Sequence, residues 1–112
     1  MIPVCPVGAL PPGAAIRVTA DGADPIAVFN VDGTFYAVDD TCTHQDASLA
    51  DGWLEGSTVE CPLHSSCFDL RTGRVSGPPA RAAVATHAVT VADGTVYVSP
   101  GVPAGTPAGD PT

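Results

Sequence analysis

An all-β fold is what this sequence predicts, and three observations predict it. Short runs rich in β-branched and aromatic residues recur at close intervals. Two pairs of these runs are split by Asp-Gly, at Asp32-Gly33 and Asp93-Gly94, the strongest short cue for a β-hairpin. Twelve glycines and twelve prolines in 112 residues favour turns over helices. Strands of this kind close into a small sandwich or barrel, and the length allows one hydrophobic core with no room for a second.

Taken in order, residues 3 to 13 carry Pro3, Pro6, Pro11, Pro12 and Gly13 and read as an extended lead-in with at most one helical turn around residues 7 to 10. From 14 to 20, Ile16, Val18 and Ala20 alternate with Arg17 and Thr19, which predicts a strand turned by Asp21-Gly22. Residues 26 to 31 and 34 to 38 form the first Asp-Gly hairpin, while 39 to 48 has no helical period and reads as a loop. Two short strands are expected over 49 to 56 and 57 to 60, and a hairpin over 68 to 75 around Thr72-Gly73. Consecutive prolines keep 76 to 81 irregular, since they fix the backbone and remove donors. The second Asp-Gly hairpin occupies 85 to 91 and 95 to 99. The division that follows is a single domain over residues 1 to 99 and a flexible Pro/Gly/Ala tail over 100 to 112.

The chemistry is concentrated in two short stretches, Cys42-Thr43-His44 and Cys61-Pro62-Leu63-His64. Each pairs a thiolate with an imidazole, so the donor set of two Cys and two His suits either zinc or an iron-sulfur cluster. The arrangement favours iron. A Cys2His2 zinc finger groups its two cysteines and places both histidines on a following helix, whereas here each arm holds one of each and can serve two metal ions.

On these residues the chain resembles the Rieske proteins, whose signature is C-x-H followed after a gap of about this length by C-x-x-H. The likeness continues through Ser65-Ser66-Cys67-Phe68-Asp69, Thr72-Gly73 and Gly77-Pro78-Pro79. It implies one 2Fe-2S cluster, with Cys42 and Cys61 on one iron and His44 and His64 on the other. It also implies stacked antiparallel sheets, three in number, with a small cluster-binding subdomain at about residues 40 to 82. Gly77, Pro78 and Pro79 correspond to a proline-containing loop that packs over the cluster. Within the family, respiratory members add a disulfide above the cluster and hydroxyl donors to its sulfurs. The matching positions here are Ala47 and Leu63, which cannot form the disulfide, and Phe68, which has no hydroxyl; Ser66 retains the matching serine. Fewer donors to the sulfurs lower the potential, which is expected at about −150 mV. Reduction beside the two imidazoles should raise their proton affinity, so the midpoint should fall by about 59 mV per pH unit above the oxidised-state pKa.

Composition narrows the partners. The net charge is −8, with twelve acids against four arginines and no lysine, which excludes the phosphate neutralisation that nucleic-acid binding needs. An acidic surface suits brief docking to basic protein patches as well as solubility, and Asp46 and Asp51, flanking the first arm, are the candidate docking acids. No apolar run spans a membrane and the start has no signal-peptide character, so a soluble, cytoplasmic monomer is expected. Cysteines beside histidines at ligand spacing fit a reducing compartment better than disulfides, leaving Cys5 and Cys67 as ordinary or packed thiols. Trp53 and Phe68 read as packing residues rather than electron relays, and His87 as structural.

The resemblance is strongest to the Rieske-type ferredoxins of bacterial aromatic ring-hydroxylating dioxygenase systems, of the carbazole, biphenyl or naphthalene dioxygenase type. It implies an electron-transfer component, not an enzyme, passing single electrons from a flavin-dependent, NAD(P)H-dependent ferredoxin reductase to a terminal oxygenase. An oxygenase would need a further iron held by two histidines and a carboxylate, and only His87 remains. The alternatives are a Rieske-like small subunit of an assimilatory nitrite reductase or other oxidoreductase, and a structural zinc-binding interaction module.

Overall fold

The computed structural model describes residues 2–19, 24–41, 47–62, 66–76 and 83–102. Within them the elements are β1 (Ile2–Pro6), a 3-10 turn (Val7–Ala9), β2 (Ala15–Val18), β3 (Ile26–Val31), β4 (Thr34–Asp39), a second 3-10 turn (Leu49–Asp51), β5 (Trp53–Glu55), β6 (Thr58–Glu60), β7 (Cys67–Asp69), β8 (Val75–Ser76), β9 (Thr86–Ala92) and β10 (Thr95–Ser99). Both Asp-Gly pairs close hairpins as expected. Asp32 and Gly33 have φ of 51° and 93°, Asp93 and Gly94 of 51° and 76°, the doubly left-handed geometry of a type I′ turn. The strands they join meet at Val31 opposite Thr34 and Ala92 opposite Thr95.

The proline-rich start is a strand rather than a plain lead-in. β1 pairs antiparallel with β10, and its register shifts between Pro3 and Cys5. Prolines are tolerated there because β1 lies at the edge of its sheet, where a missing N–H leaves no neighbouring strand unserved. Residues 49 to 51, expected in a strand, form a 3-10 turn instead, with Asp51 N–H donating to Ser48 O at 3.1 Å and Gly52 N–H to Leu49 O at 3.0 Å. The predicted turn at Asp21-Gly22 lies outside the described residues, as does the tail from residue 103 onward.

The sheets are antiparallel and stacked, though their number differs from the three that the resemblance implies. One sheet has six strands in the order β1-β10-β9-β4-β3-β2, the other four in the order β5-β6-β7-β8. The six-stranded sheet is two three-stranded halves joined along a short seam, where Ala37 pairs with His87 and Val38 with Thr86. Three layers survive because β3 is buried on both faces, which gives two hydrophobic clusters where the length suggested a single core. Ala27 and Phe29 pack with Val38, Val59, Phe68 and Leu70 toward the four-stranded sheet, while Ile26 and Val28 pack with Ala37, Val96 and Val98 toward β10. Full burial of a side chain such as Phe29 or Phe68 contributes about 1.5–3 kcal/mol.

His87 helps to fasten the seam, consistent with the structural role expected of it. Its Nε2 lies 2.8 Å from Asp39 Oδ1, and its Nδ1 accepts the Gly101 N–H at 3.0 Å. Because a backbone N–H can only donate, Nδ1 must be the bare nitrogen and Nε2 the protonated one. No helix among the described residues is long and apolar enough to cross a membrane.

Candidate metal centre

The second ligand arm leaves from the end of a strand ladder. Glu60 on β6 pairs with Cys67 on β7, and one step further Cys61 N–H donates to Ser66 O at 2.9 Å. Cys61 and Ser66 are thus the two posts of a hairpin loop. Cys61 is fully buried, in one core with Ala47, Leu49, Val59 and Phe68. A soft sulfur donor shielded from water at the root of a loop fits a thiolate ligand to iron. Ser66 and Phe68 are equally buried.

The first arm is held differently. β4 has ended, and the described part of the arm is closed by an isolated antiparallel bridge between Thr41 and Ser48. The carboxylate of Asp40, 1% exposed, supplies what a ladder would otherwise provide. Its Oδ1 accepts from Ser48 Oγ at 2.8 Å and from Ala50 N–H at 2.9 Å, and its Oδ2 is 3.3 Å from Arg17 Nε. Its backbone oxygen accepts Leu49 N–H at 2.7 Å. Sequence reasoning passed over Asp40 as part of a loop. The available signal was a pair of adjacent acids at the end of a predicted strand, two residues before the first cysteine.

Ala47, the first described residue after the arm, packs in the same core as Cys61, so the end of one arm and the start of the other meet there. Ser76, next to Cys67 in the ladder, ends β8 at the same edge of the sheet, and Val84 N–H donates to Gly73 O at 2.9 Å. Of the sequence-predicted site residues, Cys61, Ser66 and Phe68 are described. Cys42, His44, His64, Gly77, Pro78 and Pro79 lie outside the described residues, and so does the candidate docking residue Asp46. Asp51 is exposed and borders an open recess with Arg17, Thr41 and Ser48.

Trp53 is not the packing residue its type suggested. Leu54, Val59, Phe68 and Val75 stand opposite one another across β5 to β8 and take the inner face. The alternation of a strand therefore turns Trp53 outward beside its partner Glu60, leaving it 61% exposed. Phe68, by contrast, is packing as expected. On the same outer face sits Cys67, whose thiol is pushed up by burial and then by the charges of Glu60 and Glu55; burial also pushes up the Cys5 thiol. Because the thiolate is the reactive form, alkylation of Cys67 in the intact protein should be slower than that of an unstructured cysteine at pH 7.5, and Glu60→Gln should accelerate it. Mass spectrometry after timed iodoacetamide exposure measures both rates, and equal rates for parent and variant would contradict the charge argument.

The Rieske [2Fe-2S] domain family model matches residues 1–88 of this chain. A 3-phenylpropionate/cinnamic acid dioxygenase ferredoxin subunit from Photorhabdus laumondii is 46% identical over 97 residues, which is 86% of this chain and 90% of that protein. Among solved structures, a chain in the complex of reduced oxygenase and oxidized ferredoxin in carbazole 1,9a-dioxygenase is 41% identical, with a TM-score of 0.84 over 88% of this chain and 91% of that one. The ferredoxin of carbazole 1,9a-dioxygenase from Nocardioides aromaticivorans is 32% identical, with a TM-score of 0.80 over 89% and 99%.

Proposed function

This chain belongs to the Rieske [2Fe-2S] family and takes one such cluster, and from that premise we propose that it is the one-electron carrier of an aromatic ring-hydroxylating dioxygenase system. The observation that carries the reading is the near full-length likeness to proteins named as dioxygenase ferredoxin subunits, at 46% identity. In this reading a flavin-dependent reductase supplies the electron and a terminal oxygenase receives it. Cys42 and Cys61 hold one iron and His44 and His64 the other, within a subdomain of about residues 40 to 82. When bound, the cluster supplies reversible one-electron storage at a potential raised by its imidazole ligands.

The chain's own residues do the rest. The core around Cys61 excludes water from that thiolate, and the bond from Cys61 N–H to Ser66 O fixes where the second arm begins and where it returns. The apolar ring of Phe68 offers no hydrogen to a sulfur, which supports a midpoint near the low end of the Rieske range, about −150 mV. Potentiometric titration checks this value, and a midpoint above zero would overturn the donor argument. His87 is committed to Asp39 and Gly101, so it has no ring nitrogen to spare for a second iron, and oxygen activation falls to the partner. Asp51 is the proposed docking acid among the described residues. The carrier is proposed to act as a cytoplasmic monomer, in keeping with cysteines retained as thiols and ligands.

The test is reconstitution. Purified chain should show a visible spectrum bleached by dithionite and an electron-paramagnetic signal with an average g value below two. Added to a flavin reductase and a terminal oxygenase of this class with NADH, it should make aromatic hydroxylation depend on its presence. Colour and signal without any transfer to the oxygenase would leave the cluster standing and remove the proposed role.

A further inference from the structure

The two ligand arms are braced unequally, and the weaker brace rests on a single carboxylate. The second arm inherits its shape from the β6–β7 ladder, which runs up to Glu60 and Cys67 and is extended by the bond from Cys61 to Ser66. Among the described residues the first arm has no ladder: its ends are joined by the isolated Thr41–Ser48 bridge and by the bond from Leu49 N–H to Asp40 O. Between Thr41 and Ser48 lie the residues that carry Cys42 and His44. A loop closed by one bridge samples many shapes unless its ends are tied down.

We propose that Asp40 is the positioning residue of the first ligand arm, clamping its entry to its exit, with Arg17 on β2 bracing the clamp from the neighbouring strand. The carboxylate belongs to the entry side. Its Oδ1 takes two hydrogens from the exit side, Ser48 Oγ–H and Ala50 N–H, at 2.8 and 2.9 Å. Its Oδ2 faces Arg17 Nε at 3.3 Å, and its own N–H donates to Pro25 O at 2.9 Å. A carboxylate this deeply buried is retained only where its oxygens are satisfied, and here both are. The inference rests on the ligand assignment proposed above, in which Cys42 serves one iron and His44 the other. A shift of the first arm would then disturb both ions at once.

The substitutions separate positioning from bulk stability. Asp40→Ala removes every side-chain bond of the clamp and should speed loss of iron to a chelator such as bathophenanthroline disulfonate by roughly 10-fold, the low end of what losing a group bonded directly to a metal ligand costs, since Asp40 acts on the ends of the arm and not on a ligand. It should also broaden the electron-paramagnetic signal. Asp40→Asn keeps an oxygen for Ser48 and Ala50 but turns an NH2 donor toward Arg17, so it should restore both readings in part; Ser48→Ala should also fall between Asp40→Ala and the parent. Asp39→Ala is the control, since it breaks the contact with His87 on the opposite side of the strand and lowers stability without touching the arm. Iron release by Asp40→Ala at the parent rate, or release by Asp39→Ala as fast as by Asp40→Ala at matched melting temperature, would overturn the proposal. If Asp40→Ala does not fold, the comparison of Ser48→Ala with Asp39→Ala decides on the same criterion. A parent protein that never binds iron sinks the ligand assignment instead, so the two failures are distinguishable.

Discussion

Gly73→Ala is expected to unsettle the fold more than any surface change, lowering the melting temperature by on the order of 10 °C or more. Two costs combine at that position. Gly73 sits at φ 78°, a conformation that costs a residue with a side chain about 1–3 kcal/mol. A Cβ there would stand 2.1 Å from the carbonyl oxygen of Val84, and relieving such an overlap in packed structure costs about 1–3 kcal/mol more. The oxygen cannot step aside cheaply, because it is backbone and because Val84 N–H is bonded to Gly73 O. Since this contact ties the chain that follows the proposed cluster loop to the turn at Gly73, the variant should also bind the cluster poorly. Gly33→Ala, at φ 93° but with open space around it, carries the strain without the overlap and should lose less. Gly8→Ala, with neither problem, should melt with the parent. Thermal unfolding of the three variants checks the ranking, and a Gly73→Ala protein as stable as Gly8→Ala would refute it.

Cys61→Ser should give a colourless chain with at least tenfold less iron than the parent, while Cys67→Ser should remain coloured. The two cysteines are close in sequence and their surroundings are opposite. Cys61 is sealed in the core at the root of the second arm, and replacing it also buries a hydroxyl, at a cost of about 1–3 kcal/mol. Cys67 points to the outer face of the same sheet beside Glu60 and Glu55, away from that core. Iron and sulfide analysis with a visible spectrum distinguishes the pair. A coloured Cys61→Ser protein with the parent's signal would remove Cys61 from the ligand set.

Much of the fold was legible because its signals are local. An Asp-Gly pair demands left-handed φ at both positions, and that demand is written in two adjacent residues, so both hairpins could be read without knowing what they pack against. The cluster motif was legible for a similar reason, as residue type and spacing carry the donor chemistry. What escaped was settled by neighbours distant in sequence. β1 is a strand because β10 offers it an edge, which its prolines do not announce. Trp53 faces solvent because Leu54, Val59 and Phe68 claimed the inner side of the sheet, and aromatic character alone says nothing about which face a residue takes. Asp39 and Asp40 read as one run of charge, yet they leave the strand on opposite sides, one toward His87 and the other toward Ser48, Ala50 and Arg17.

The amino-acid order by itself determined an all-β chain built from tight hairpins, an acidic surface, and a pair of arms that each carry a thiolate and an imidazole. Tertiary structure alone decided how those arms are held, the second by a ladder of backbone bonds and the first by the carboxylate of Asp40. The reason is one of range. Turn geometry and donor identity act over a few residues of chain, whereas a brace between Arg17, Asp40 and Ser48 exists only once three separate segments have been folded into one place.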